Sequence, residues 1–149
     1  MPDLVLYQPE TPGNTGTLLR LAACLDFTLH IVEPASFRLD EKALRRAGMD
    51  YLEQASLKNH LDWEQFENWR KERRRRLILF TTSAHLSYTE FNFHHSDLLM
   101  LGRETSGVPE HVHEVANASV IIPMKKGTRS INLALSGAMA MGEALRQTV

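Results

Sequence analysis

Cysteine is nearly absent from this sequence of 149 residues, in which Cys24 stands alone. A single cysteine cannot form a disulfide within the chain, and it cannot build a zinc site from several thiolates. Cys24 falls among apolar residues that recur at helical spacing, so we interpret it as a small residue of the core. The sequence therefore predicts a protein of a reducing compartment that folds without disulfides.

Long apolar runs and an excess of one charge are also missing. No run approaches the ~20 residues of a membrane-spanning helix, and residues 4–7 form a strand-like run with neither region of a signal peptide. The 17 Lys and Arg against 18 Asp and Glu give a net charge of −1. This balance excludes a wholly cationic nucleic-acid coat but allows a local basic patch. We expect a cytoplasmic protein.

Apolar runs alternate with helical periodicities along the chain. Strand-like runs occupy residues 4–7, 27–32, 77–81, 97–101 and 119–122. Five helices are predicted. The first begins at Asn14 as its cap, the second covers residues 41–47 between Asp40 and Gly48, and the third follows Asp62. The fourth runs from Pro109 to about residue 115, and the fifth covers about 132–146. Because the strands are continuous apolar runs, the pattern predicts a single α/β domain over 1–149. Its sheet should be mostly parallel, with helices on both faces.

The last of these helices is rich in small and apolar residues. Its apolar positions lie on one stripe, which consists of Leu135, Ala138, Met139, Gly142 and Leu145.

Several common catalytic signatures are absent. The segment 13–16 lacks the spacing of a dinucleotide-binding glycine motif, no phosphate-binding P-loop occurs, and no serine stands in a nucleophile elbow. The pairs His111 with His113 and His94 with His95 have spacings that do not suit metal ligands. We therefore expect no metal.

Three glycine-rich or polar segments follow predicted strands, at residues 9–20, 102–109 and 122–132. The carboxyl edge of a parallel sheet is where ligands bind, so these segments are candidates for holding an anion or a ribose. Each also has a purely structural interpretation: Asn14 caps a helix, Gly102 and Gly107 shape a turn, and Ser130 or Asn132 caps the last helix. Spacing alone leaves both interpretations open.

A basic run occupies residues 70–76. It fits the solvated end of a helix, where cations are favourable, and it also fits contacts to RNA phosphates. Arg45 and Arg46 form a second basic spot beside Tyr51, an aromatic residue suited to stacking on a base.

Taken together and in this order, the three segments resemble the motifs of the SPOUT 2′-O-ribose methyltransferases. The matching residues are Pro12-Gly13-Asn14-x-Gly16-x-x-x-Arg20, Leu101-Gly102-x-Glu104-x-x-Gly107-Val108-Pro109, and Ile122-Pro123-Met124 with Ser130-Ile131-Asn132-Leu133. The resemblance runs almost end to end. The stretch 44–51 is similar to the TrmL (YibK-like) type, small enzymes that act on the wobble nucleotide of tRNA. Arg103 and Ser106 depart from the pattern, because relatives more often carry proline and arginine there.

The resemblance implies a SPOUT fold with a deep C-terminal trefoil knot, an obligate homodimer with the active site at the subunit interface, and S-adenosyl-L-methionine bound by the knot loops without a metal. The product of that cofactor would be S-adenosyl-L-homocysteine. Cofactor contacts carried over from the family are Phe80, Thr81, Thr82, Gly102, Glu104, Gly107, Ile122, Met124, Ser130 and Leu133.

The implied reaction is methylation of the ribose 2′-hydroxyl of C34 or U34 in tRNA anticodon loops. The implied catalytic set is Arg20, Asn14, Glu104, Ser130 and Asn132. Arginine is effectively always protonated, so Arg20 is expected either to act in deprotonation or to stabilise the developing alkoxide. The partner RNA is expected to contact Arg45, Arg46, Arg103, Lys125, Lys126 and Arg129.

Three other functions are compatible with parts of this pattern. The same chemistry at another tRNA or rRNA position would use the same motifs. A catalytically silent RNA-binding dimer would keep the fold, although the joint presence of the catalytic set argues against it. A nucleotide-binding enzyme with an ordinary doubly wound sheet is the third possibility, and it would not bind S-adenosylmethionine.

Overall fold

The computed structural model describes residues 1–35 and 56–149, and within them the chain forms a six-stranded sheet. The strands are β1 (Asp3–Tyr7), β2 (Thr28–Val32), β3 (Ser56–His60), β4 (Leu77–Phe80), β5 (Leu98–Leu101) and β6 (Ala118–Val120). Their order is β3-β2-β1-β5-β4-β6, and every neighbouring pair is parallel. The parallel α/β sheet expected from the continuous apolar runs is confirmed.

Helices cover both faces of this sheet. They are α1 (Pro12–Leu25), α2 (Trp63–Glu72), α3 (Glu110–Val115) and α4 (Leu133–Thr148). Leu18 of α1 and Met141 of α4 belong to the apolar cluster on one face, whereas Phe66 of α2 and Val112 of α3 belong to the cluster on the other. The predicted helix over 41–47, with Asp40 and Gly48 at its ends, lies outside the described residues.

Small residues allow α4 to approach α1 and the sheet closely. A Cβ on Gly137 would lie 2.6 Å from Leu18 Cδ2 and 3.2 Å from Leu4 Cδ2. The residues of α4 that are buried are Ala134, Gly137, Ala140, Met141 and Ala144. The apolar stripe predicted from the sequence does not coincide with these buried residues, since two of its members, Leu135 and Met139, are 61% and 41% exposed.

Two local expectations were wrong. Asn14 does not cap α1, because the helix begins at Pro12 after Thr11 and places Asn14 inside its first turn. Cys24 is exposed rather than part of the core. The other apolar residues at helical spacing in α1 are mostly where the sequence predicts them, since Leu18, Leu19 and Ala22 are buried and Leu25 is 38% exposed. No helix of the described residues is long and apolar enough to span a membrane.

One strand was missed altogether. The sequence Ser-Leu-Lys-Asn-His of β3 is mostly polar, and most of its side chains are exposed. Strand β3 lies at the edge of the described sheet and pairs with β2. An edge strand of this kind carries no continuous apolar run, which is the signal that revealed the other five.

Two histidines are buried between β2, β3 and α2. His30 Nδ1 lies 3.1 Å from His60 Nε2, and the Asp3 carboxylate lies 3.6 Å from His30 Nε2. Burial, together with His30 and the nearby cations Lys58 and Arg73, lowers the pKa of His60 to about 4. Burial likewise lowers the pKa of His30, although Asp3 opposes this. The folded protein therefore holds both rings neutral near pH 7.

Stability should accordingly fall in mild acid. His60 takes up a proton readily in the unfolded chain below its ordinary pKa of 6.5 but resists it in the fold until about pH 4. Its contribution to stability is complete above pH 6.5 and is lost as the pH falls towards 4. The free energy of unfolding should drop by about 2 kcal/mol between pH 7 and pH 5. Urea titrations of wild type and His60→Gln at both pH values measure this, and an equal drop in the variant would contradict it.

Candidate active site

A cavity of about 940 Å³ lies at the carboxyl edge of the sheet. The segments that follow β4, β5 and β6 line it, together with the first residues of α1 and α4. All the residues expected to contact the cofactor belong to this lining, namely Phe80, Thr81, Thr82, Gly102, Glu104, Gly107, Ile122, Met124, Ser130 and Leu133. Segments far apart in sequence therefore converge on one site, as expected for the ends of parallel strands.

The segment after β5 is a tight turn that depends on two glycines. The backbone N–H groups of Arg103 and Gly107 each donate to the carbonyl of the other residue, at 3.0 Å in both cases. Gly107 has φ +63°, in the left-handed region that favours glycine. A Cβ on Gly102 would lie 2.7 Å from the carbonyl carbon of Gly107. The two glycines therefore shape a turn, and they also line the cavity.

Glu104 and Glu10 fasten this turn to the loop after β1. The Glu104 carboxylate accepts hydrogen bonds from the backbone N–H of Glu10, at 3.0 and 3.3 Å. In return, the Glu10 carboxylate accepts from the backbone N–H and the hydroxyl of Thr105, at 3.0 and 2.9 Å. Hydrogen bonds from Thr105 lower the pKa of Glu10. The reciprocal arrangement fixes Glu104 at the cavity, and no sequence motif indicated the part played by Glu10 and Thr105.

Asn132 joins the third segment to the first. Its Oδ1 caps α4 by accepting from the backbone N–H groups of Ala134 and Leu135, at 2.8 and 3.2 Å. Its Nδ2 donates to Asn14 Oδ1 at 3.1 Å. Asn132 thus caps the helix, which is the structural role predicted for it. It also binds Asn14, which lines the same cavity as Ser130.

The expected RNA-contacting cations differ in their surroundings. Arg103 donates from Nε to the Gly107 carbonyl at 3.0 Å and from Nη1 to Gln8 Oε1 at 3.4 Å, and its guanidinium lies 5.4 Å from the Tyr7 ring centre. Arg129 lines the cavity, while Lys125 and Lys126 are exposed next to it and outside its lining. Arg45 and Arg46 lie outside the described residues.

Arg20 is the one member of the expected catalytic set that the cavity does not include. It lies on an exposed side of α1, and it is not among the lining residues, whereas Asn14, Glu104, Ser130 and Asn132 all are. Residues 13, 17, 20 and 24 are exposed and recur at helical spacing, so Arg20 shares its side of α1 with Cys24.

Sequence reasoning also missed some residues of the cavity wall. Ser83, Ser136 and His113 line it, although none follows a strand directly or belongs to a motif. No group of metal-ligating side chains occurs in the part of the chain that the structure describes. The wall combines the apolar side chains of Ile122 and Leu133 with backbone polar groups and hydroxyls, a mixture typical of pockets for small organic cofactors.

Comparisons with known proteins agree with this geometry. A model of the SpoU rRNA Methylase family matches residues 2–142. A tRNA (cytidine(34)-2′-O)-methyltransferase of Ancylobacter novellus is 51% identical over 145 residues, which cover 97% of this chain and 92% of that protein. A structure solved for "Structural insights into the 2-OH methylation of C/U34 on tRNA" has TM-score 0.92 and 38% identity, and covers 99% of this chain and 95% of that chain.

A more distant structure shares the fold. It is the SpoU methyltransferase AviRb of Streptomyces viridochromogenes in complex with the cofactor AdoMet, with TM-score 0.87 and 24% identity. The match covers 99% of this chain and 60% of that chain, so the larger protein carries residues beyond the region they share.

Proposed function

Because this chain belongs to the SpoU rRNA methylase family, we propose that it transfers a methyl group from S-adenosylmethionine to the 2′-hydroxyl of nucleotide 34 in tRNA. The observation that carries the proposal is the similarity, over 97% of this chain, to an enzyme named for that reaction on cytidine 34. The structural neighbour on C/U34 extends the substrate to cytidine or uridine at the wobble position. One cavity lined by residues from all three motifs supports the same reaction.

The cavity suits S-adenosylmethionine in size and chemistry. Leu133 and Ile122 offer apolar contacts to the adenine, and the exposed backbone at Gly107 leaves open space where a Cβ would otherwise stand. Ser130 supplies a hydroxyl for the ribose or the carboxylate. The remaining expected contacts are Phe80, Thr81, Thr82, Gly102, Glu104 and Met124. The cofactor supplies an electrophilic methyl group on a positively charged sulfur, so the reaction needs no metal.

The protein must place the 2′-hydroxyl in line with that methyl group and assist the loss of its proton. Asn14 and Asn132 hold each other at 3.1 Å, which presents paired amides at the wall where a ribose would lie. Glu104 is held by Glu10 and orients the sugar or the catalytic arginine. Arg20 stabilises the developing alkoxide as a fixed cation, and a nucleotide phosphate accepts the proton.

The active enzyme would be a homodimer with its sites at the interface. Helices α1 and α4 pack against each other, and together they leave three large apolar side chains exposed: Leu25 of α1 is 38% exposed, and Leu135 and Met139 of α4 are 61% and 41% exposed. Covering such side chains with a second copy would remove apolar surface from water. Arg20 is outside its own chain's cavity, so in this arrangement it completes the cavity of the other chain.

The finer features of the family fold are part of the proposal. We expect the segments after β5 and β6 to form a deep trefoil knot, as in SPOUT enzymes, and the enzyme to act in the cytoplasm, where tRNA is modified. Lys125, Lys126 and Arg129 would contact phosphates next to the cavity, and Arg103 would influence the RNA through the turn that it braces.

Methyl transfer from labelled S-adenosylmethionine to total tRNA, followed by nuclease mapping, tests the function. Label on the ribose of nucleotide 34 is the expected result. Label at another tRNA position, or on rRNA supplied in parallel, would keep the chemistry and overturn the proposed substrate. Cofactor binding in calorimetry without any transfer would indicate an RNA-binding module, and the absence of cofactor binding would contradict the proposal entirely.

A further inference from the structure

The basic run at residues 70–76 is divided by the structure into two groups of cations. Three members are neutralised: Arg70 pairs with Glu67 at 2.6 Å, Arg75 with Asp3 at 2.8 Å, and Arg76 with Asp97 at 2.6 Å. Their acidic partners are buried. Arg75 and Arg76 hold the loop after α2 to the amino edge of the sheet through Asp3 and Asp97. Glu67 lies on α2 itself, and Arg70 reaches the same edge by donating to Asn117 Oδ1 at 3.2 Å. These three arginines are neither a solvated helix end nor available to RNA.

The other cations of the run remain exposed and are joined by one from β3. Arg73 is also near an acid, because its Nη1 lies 3.6 Å from the Glu72 carboxylate, but this pair is open to solvent. Lys71, Arg73 and Arg74 are exposed at the end of α2, and Lys58 is exposed on the neighbouring strand. The ring of Trp69 brings two of these together, with Lys58 Nζ 4.9 Å and the Arg73 guanidinium 4.8 Å from its centre. We name Lys58, Lys71, Arg73 and Arg74 the basic platform.

Arg74 has no evident role in the fold. It closes α2 with φ 54°, a left-handed conformation in which glycine is the usual residue. The backbone N–H of Arg75 donates to the Arg70 carbonyl across this residue, which completes the helix end without the Arg74 side chain. Among residues 1–35 and 56–149, that side chain makes no hydrogen bond or ion pair. Arginine therefore occupies a position at which the backbone conformation favours glycine.

A shallow depression of about 530 Å³ borders the platform. Its lining includes the amides of Gln65 and Asn68 and the cations Lys71 and Arg73, with Glu72 as its one acid. Lysine, arginine, asparagine and glutamine are among the side chains that bind the sugar–phosphate backbone of nucleic acids. The depression and the cations together favour a phosphate chain rather than a single small anion.

We propose that the basic platform binds the sugar–phosphate backbone of the tRNA at a distance from nucleotide 34. This inference rests on the proposed function, which supplies tRNA as the substrate. The platform lies near the amino edge of the sheet, because α2 ends there and leads into β4, whereas the cavity lies at the carboxyl edge. The contact therefore falls on the tRNA outside its anticodon loop. It positions the RNA without reading its sequence.

The test compares Arg74→Gly with wild type, because glycine removes the charge and suits the backbone. Thermal stability should be kept or raised, while the affinity for full-length tRNA should fall roughly threefold and its salt dependence should become shallower by about 0.7–0.9 in log–log slope. Arg73→Gln with Arg74→Gly should lose roughly tenfold. Glu72→Gln, which removes the acid, should tighten binding.

Two controls locate the contact. Arg146→Gln removes an exposed cation of α4 outside the platform and should leave tRNA affinity unchanged. An RNA of the anticodon stem-loop alone should bind wild type and Arg74→Gly equally. Wild-type affinity for full-length tRNA in the double variant would overturn the inference, and so would an equal loss with the stem-loop. Transfer by wild type to tRNA is measured in the same samples, so the failure of the proposed function would be seen separately.

Discussion

Gly102→Ala should remove most of the affinity for S-adenosylmethionine and destabilise the fold. The new Cβ would lie 2.7 Å from the carbonyl carbon of Gly107 and 2.8 Å from its Cα, and both are backbone atoms that have no alternative rotamer. The turn must open, which breaks the paired hydrogen bonds between Arg103 and Gly107 and shifts Glu104 in the cavity wall. We expect a cost of about 1–3 kcal/mol in the free energy of unfolding.

Calorimetric titration with S-adenosylmethionine and thermal unfolding measure the two effects. Cofactor affinity should fall at least roughly tenfold, which corresponds to about 1.4 kcal/mol. Ser106→Ala, at an exposed position in the same turn, is the matched control and should change stability by less than about 0.5 kcal/mol. Binding of the cofactor by Gly102→Ala with wild-type affinity would show that the turn does not shape the cavity.

The sheet was predictable because its central strands are buried on both faces. Strands such as β4 and β5 are apolar at every position, and this continuous pattern is what a covered parallel sheet requires. The cavity followed from the same logic, since glycines and polar residues directly after such strands must meet at one edge. The identity of the cofactor came from the family resemblance rather than from the pattern.

The faces of the helices were harder to predict. In α4, Leu135 is exposed while its neighbour Ala134 is buried, so the larger apolar residue points away from the core of its own chain. A helix that is apolar around much of its surface has no single stripe to indicate its orientation. The same difficulty applies to Cys24 in α1. A surface that a second chain would cover has the composition of a core, and one sequence cannot separate the two.

The cations were hard to predict for a different reason. The run at 70–76 looks uniform in sequence, but Arg75 and Arg76 find their acids, Asp3 and Asp97, on distant parts of the chain. Such pairs depend on the order of strands in the sheet, which local patterns do not contain. The hydrogen bonds between Glu10 and Thr105 were not predicted for the same reason, because each residue alone is an ordinary polar loop residue.

Arg20→Ala should reduce methyl transfer to tRNA at least about 100-fold, since removing one donor that stabilises a developing oxyanion typically costs 10²–10³ in rate. Arg20 lies outside the cavity of its own chain, and in the proposed dimer it approaches the 2′-oxygen of the RNA rather than the cofactor, so the cofactor affinity should be unchanged. Single-turnover transfer assays and calorimetry measure the two quantities. Arg20→Lys keeps the positive charge but loses the planar guanidinium, so partial activity is expected. Turnover like that of wild type in Arg20→Ala would remove this residue from the mechanism.

Mixing two impaired variants, at an S-adenosylmethionine concentration too low to load Gly102→Ala, distinguishes an arginine that acts within its own chain from one that acts across the interface. Arg20→Ala leaves a sound cavity without the arginine, and Gly102→Ala leaves the arginine beside an impaired cavity. If Arg20 completes the cavity of the other chain, a dimer formed from one copy of each variant has one complete site. The mixture should then recover a substantial fraction of wild-type activity, up to about half for each mixed dimer, because one of its two sites works. If Arg20 acts in its own chain, both sites of the mixed dimer lack a part, and the mixture is no more active than its components.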